Sequence, residues 1–111
     1  MKYLMFVCTD TEPDTDPAPE TDIDVWVDKH DASGQRLQGI GLGPKSAATT
    51  VRVRNGRTLV SDGPFAETKE LIVGFDVLEC ADLDEAIEVA REHPMARGGR
   101  IEIRPLADWS Q

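Results

Sequence analysis

Residues 71–104 read LIVGFDVLECADLDEAIEVAREHPMARGGRIEIR, and the hydrophobic period changes twice within them. The first ten, LIVGFDVLEC, form an apolar, β-prone run suited to a central strand. Asp82 then occupies an N-cap position, and Glu85 three residues later completes a capping-box pattern. Leu83, Ala86, Ile87 and Ala90 follow at i, i+3, i+4 and i+7, which is one face of an amphipathic helix. Pro94 ends that helix, where His93 suits the C-terminal dipole in a structural role, and Gly98-Gly99 turns the chain. RIEIR alternates as a closing strand with Ile101 and Ile103 inward.

Upstream, TTVRVR and RTLVS flank Asn55-Gly56, a strong signal for a two-residue hairpin turn. Val51 and Val53 alternate with Arg52 and Arg54, so one face of the hairpin is expected to be solvated. LQGIGL, residues 37–42, reads as a strand whose Gly39 and Gly41 leave one face open to close approach. Residues 21–33 read as a short helix with Thr21 as N-cap and Gly34 just past its end. Ile23, Val27 and His30 share one stripe of it, with Trp26 beside them. TDTEPDTDPAPE, residues 9–20, carries three prolines and five acids, which predicts a solvated, mobile loop without regular structure. Its prolines break the register a calcium-binding loop requires, and no metal is expected. KYLMFVC, residues 2–8, is apolar in both alternation classes, as a strand buried on both faces should be.

The order is therefore β-α-β-(hairpin)-β-α-β, a ferredoxin-like α+β pattern with an inserted hairpin. It predicts the first and third core strands as antiparallel neighbours at the sheet centre. Cys8 and Cys80 then fall at opposite ends of that pair, roughly 20 Å apart at about 3.4 Å per residue. A disulfide needs Cα atoms within about 7 Å, so two free thiols are expected.

The 111 residues suit one domain, and 40% apolar residues supply one core of modest size. One layer of helices leaves the second face of the sheet uncovered, which favours an oligomer. Twenty-one acidic residues against 12 basic ones give a net charge of −9. A field of that sign repels nucleic-acid backbones and anionic membranes, and neither is expected as a partner. No apolar run approaches the roughly 18–20 residues of a membrane span. The start, MKYLMFVCTD, lacks a signal-peptide pattern, and a cytoplasmic location is expected. No phosphate-cradling glycine loop or nucleophile elbow is present, and no cofactor is expected.

TTVRVRNGRTLVSDGPFAETKE, then GF, DLDEAIEVAREHP and GRIEIRPL, resembles the DGPF group of YCII-related domain proteins, named for the tetrapeptide found here at residues 62–65. The resemblance runs from the first strand to Leu106 and is weakest over residues 9–33. It implies a subunit that pairs into a homodimeric α+β barrel, without implying an established reaction. Members are often encoded beside extracytoplasmic-function sigma factors, which implies regulation. A His–Asp pair has been proposed for the broader family, with the His early in the first helix. Asp22, Ile23 and Asp24 occupy that region here, and His30 lies about two turns later, so the pair does not carry over intact.

Asp62 either closes a turn through backbone N–H groups or stands as an acid at the mouth of a cleft. With His30, the best general base by ordinary pKa, it forms the candidate catalytic set. Phe65, Glu67, Thr68, Lys69 and Trp26 are the candidate ligand contacts, because loops set on a rigid scaffold concentrate binding residues. Each also has a plain structural reading: an interface plug for Phe65, a core ring for Trp26, a solvated segment for the rest. The expectation is a homodimeric small-molecule-binding or regulatory domain. The alternatives are an acid–base enzyme built on Asp62 and His30, and a structural interaction partner.

Overall fold

A computed structural model describes residues 1–63 and 71–107 of the chain. It contains β1 (Lys2–Thr9), α1 (Ile23–Ala32), β2 (Arg36–Gly41), β3 (Thr49–Arg54), β4 (Arg57–Asp62), β5 (Ile72–Glu79), α2 (Leu83–Arg91), α3 (Met95–Gly98) and β6 (Gly99–Pro105). Four strands form one antiparallel sheet in the order β2-β5-β1-β6, while β3 and β4 pair as a separate ribbon. The first and third core strands, β1 and β5, are central antiparallel neighbours with Phe6 opposite Phe75, as the order of elements predicts. The fold is thus α+β, with helices on one side of the main sheet.

Alternation decides which side that is. Tyr3, Met5 and Val7 of β1 and Leu78 of β5 are buried with Trp26, Ala86, Val89 and Ala90 of the helices. Ile101 and Ile103 of β6 pack against this cluster. Leu4 and Phe6 of β1 and Phe75 and Val77 of β5 alternate to the opposite face and are only half-buried. Of the two apolar faces predicted for KYLMFVC, this chain covers one.

Asp82 caps α2 as the sequence predicts: its Oδ1 accepts from the Glu85 N–H at 2.9 Å, and Glu85 reaches back to the Ala81 N–H. The cap of α1 differs from expectation. Asp22, not Thr21, is the N-cap: it has an extended backbone, and its carboxylate accepts from the Asp24 N–H at 2.8 Å. A charged acceptor is a stronger partner for the helix N-terminus than a hydroxyl. The acidic stretch lacks regular structure, as expected, but it is tethered. Arg97 donates to Asp14 Oδ2 (2.8 Å) and to the carbonyls of Asp16 (2.7 Å), Ala18 (2.8 Å) and Pro19 (3.1 Å). The short α3 that carries Arg97 has no counterpart in the sequence reading, since four residues are too few to show a period.

The ribbon turns at Asn55 (φ 52°) and Gly56 (φ 73°), the left-handed pair that Asn-Gly favours. It is exposed on both faces rather than one, with Val51, Val53 and Val60 each about 60% exposed. Cys8 and Cys80 are both buried and are not joined in a disulfide. Cys8 lies opposite Ile72 at one end of the β1–β5 pair, whereas Cys80 follows Glu79, which faces Lys2 at the other. No helix among the described residues is long and apolar enough to cross a membrane.

Candidate ligand-binding cleft

The strand alternation that builds the core also brings a carboxylate into it. Gly74, Asp76 and Leu78 share the helix-facing side of β5, and Gly39 and Gly41 of β2 lie opposite Asp76 and Gly74. These glycines leave the sheet floor open under α1. The result is a cleft of about 300 Å³ between α1, β2 and β5, walled by Ile23, Trp26, Val27 and Val73. Among the described residues, its titratable lining consists of Arg36, Asp76 and His93.

Arg36 Nε donates to Asp76 Oδ1 at 2.7 Å, and its NH1 donates to Asp31 Oδ1 at 2.9 Å. Burial opposes the guanidinium charge, but the bonds to Asp31 and Asp76 outweigh it and hold Arg36 more firmly protonated than usual. Gly39 makes this ion pair sterically possible. A Cβ there would stand 2.0 Å from Asp76 Oδ1 and 2.3 Å from Arg36 NH2. The close approach expected at LQGIGL is thus made by the protein's own guanidinium and carboxylate.

His93 enters from the segment after α2. Its ring packs edge-on to Trp26 at 4.6 Å between centroids, and its Nδ1 accepts from the Met95 N–H at 3.0 Å. Burial pushes its pKa down; nearby Asp76 works against that and Arg36 with it. The imidazole is therefore neutral near pH 7, and because Nδ1 is an acceptor its proton sits on Nε2. Trp26 itself is fixed by donating Nε1–H to the Val89 carbonyl at 2.9 Å, which ties α1 to α2. Trp26 is a core ring, as one of its sequence readings has it, and one edge of it lines the cleft.

The other candidates are placed differently. His30 is 2% exposed, 5.1 Å from Trp26 between ring centroids, and is not among the described residues that line the cleft. Gln35 gives its amide NH2 to Glu85 and so offers its oxygen to His30 Nδ1 at 3.1 Å. Nε2 is buried without a hydrogen-bond partner among the described residues and lies 3.8 Å from Glu92 Oε2. Asp62 ends β4, exposed, opposite Thr49 on the ribbon. The turn beside it is clasped by other groups: the Gly63 N–H donates to the Ala48 carbonyl (2.7 Å) and Thr50 Oγ1 to the Gly63 carbonyl (2.7 Å). Gly63 has φ +92°, a value that suits glycine. The described contacts join Trp26 to His30 and do not join His30 to Asp62. Phe65, Glu67, Thr68 and Lys69 lie outside the described residues. Among the described residues, no group of three or more His, Cys, Asp and Glu is placed to hold a metal ion.

Compared with known families, the chain matches the profile of the YCII-related domain over residues 1–110. It belongs to the YCII-related family. Among curated proteins it is similar to an uncharacterized protein of Rhizobium meliloti (strain 1021), 52% identical over 68 residues. That match spans 60% of this chain and 55% of the relative, so the chain aligns with about half of the relative's length. Neither likeness assigns a reaction. In this YCII-related chain the histidine and aspartate that line one cavity are His93 and Asp76, neither of which lies early in the first helix.

Sequence reasoning passed over Arg36 and Asp76, although one signal for Asp76 is visible. It is the lone charge inside IVGFDVL, on the same alternation class as Gly74 and Leu78. A carboxylate on the buried face of a central strand requires a partner and space.

Proposed function

We propose that this YCII-related chain is a homodimeric small-molecule-binding domain, cytoplasmic and regulatory, whose ligand lies in the cleft between α1, β2 and β5. The observation that carries this reading is the composition of the cleft. It is an open cleft with apolar walls, and three charged or polar residues line it, the usual make-up of a small-molecule site. The dimer reading is supported by the half-exposed apolar face of the sheet, which a second copy would cover. The strand order and the two helical crossovers support a ferredoxin-like subunit of a dimeric α+β barrel. General acid–base chemistry is a second reading, favoured by one observation: a neutral imidazole and a carboxylate line the same cavity.

The test is a fragment screen by amide chemical shifts. Hits should move the Gly39, Gly41 and Gly74 amides together. Val27→Trp, which fills the cleft, should lose these hits while its circular dichroism stays native. Undiminished binding by a folded Val27→Trp protein would place the ligand elsewhere.

A further inference from the structure

The polar end of the cleft has a definite charge and a definite hydrogen-bonding pattern. Arg36 is the only cation in the described lining, and both Nε and NH1 are engaged by carboxylates of this chain. Two carboxylates, Asp31 and Asp76, thus face one guanidinium, and the local charge is negative rather than positive. A site built for an anion would present an uncommitted fork of N–H donors, which Arg36 no longer offers in full.

Asp76 is left with capacity. Its Oδ1 accepts from Arg36, and no described residue donates to Oδ2. Asp76 is 6% exposed and lines the cleft, so a ligand donor reaching Oδ2 would arrive from the cleft. His93 adds the complementary group. The Met95 N–H on its Nδ1 leaves Nε2–H as its donor. The pair therefore offers one strong acceptor and one neutral donor beside the aromatic and aliphatic surface of Trp26, Val27 and Val73. The net charge of −9 adds a long-range field of the same sign.

We infer that the cleft selects a small, largely apolar molecule that is neutral or cationic and gives an N–H or O–H donor to Asp76, with His93 as a donor to any acceptor the ligand carries, and that it rejects anions. The inference rests on the cleft being the binding site. Asp76 and His93 set the polarity of the ligand and the apolar wall its body. Gly39, with no Cβ, leaves room over the sheet for the Arg36–Asp76 pair.

Three probes with one phenyl body and different heads test this: phenethylamine, phenethyl alcohol and hydrocinnamate. They are titrated into the whole protein while the Gly39, Gly41 and Gly74 amides are followed. The amine and the alcohol should move these amides, with the amine binding more tightly than the carboxylate by about tenfold or more. Asp76→Asn should erase that preference, and a folded spectrum of the variant accompanies the measurement. The wild-type ranking stands as a test even if the variant fails to fold. Tightest binding by hydrocinnamate at these amides would overturn the inference and leave the cleft in place as a binding site. Failure of all three probes to move them would overturn the assignment of the cleft, and this inference with it.

Discussion

At the scale of single residues, His93 links the cleft to pH. Its folded pKa lies below the ordinary imidazole value of 6.5 because it is buried. Above that value both folded and unfolded chains hold it neutral, and it adds no pH dependence. As pH falls through about 6.5, the unfolded chain takes up a proton that the folded chain refuses, so stability drops until the lower folded pKa is reached. The lowered carboxylates Asp10, Asp14, Glu85 and Glu92 act further down, below their unfolded values of 3.8 and 4.5. Melting temperatures between about pH 7 and pH 5 should therefore fall more steeply for the wild type than for His93→Gln, which keeps an acceptor for the Met95 N–H. Parallel slopes would mean that His93 has the same affinity for protons in both states. The same residue shows how far the site was legible. A histidine before a proline reads as a helix-end residue, and only the return of the chain beneath α1 makes it a cleft wall. Asp76 was readable as an anomaly in a core strand. Its partner Arg36 was not, because nothing local ties β2 to β5.

At the scale of elements, the long and strongly periodic pieces were legible: the capped α2, the β3–β4 hairpin turn, and the central pairing of β1 with β5. Each is specified by local chemistry or by order along the chain. What escaped were contacts between distant segments. The acidic stretch before α1 reads as mobile because its composition offers no core, yet Arg97, some eighty positions away, gathers its carbonyls and Asp14. Asp14 N–H in turn donates to the Arg97 carbonyl at 2.8 Å. Arg97→Ala should release the segment with little loss of global stability, because an exposed tether contributes mainly to local order. Digestion by a protease specific for glutamate, which cleaves after Glu20, should become several-fold faster while the melting temperature changes little. Cleavage at the wild-type rate would show that the segment is held without Arg97.

For the whole molecule, the sheet supports the proposed dimer. One face carries helices and the cleft; the other presents Leu4, Phe6, Phe75 and Val77 half-buried, with Ile40 58% exposed beside them. Among the described residues nothing covers this apolar face in full, and exposed apolar faces commonly mark sites of association. A second copy is the simplest cover, since two such faces meet in the way sheets pack. The exposed β3–β4 ribbon points the same way, because an isolated two-stranded hairpin is at best marginal in water and gains from a neighbour. Phe6 sits in the middle of β1 between Phe75 and Glu102, away from the buried cluster under the helices. Phe6→Lys puts a charge into the proposed interface without opening the helix-side core, and Glu102 across the pair offers it a partner. Light scattering should give twice the chain mass for the wild type and the single-chain mass for a Phe6→Lys protein that keeps its circular dichroism. A variant that remains a dimer would move the interface off this face, and a monomeric wild type would leave the face to another partner.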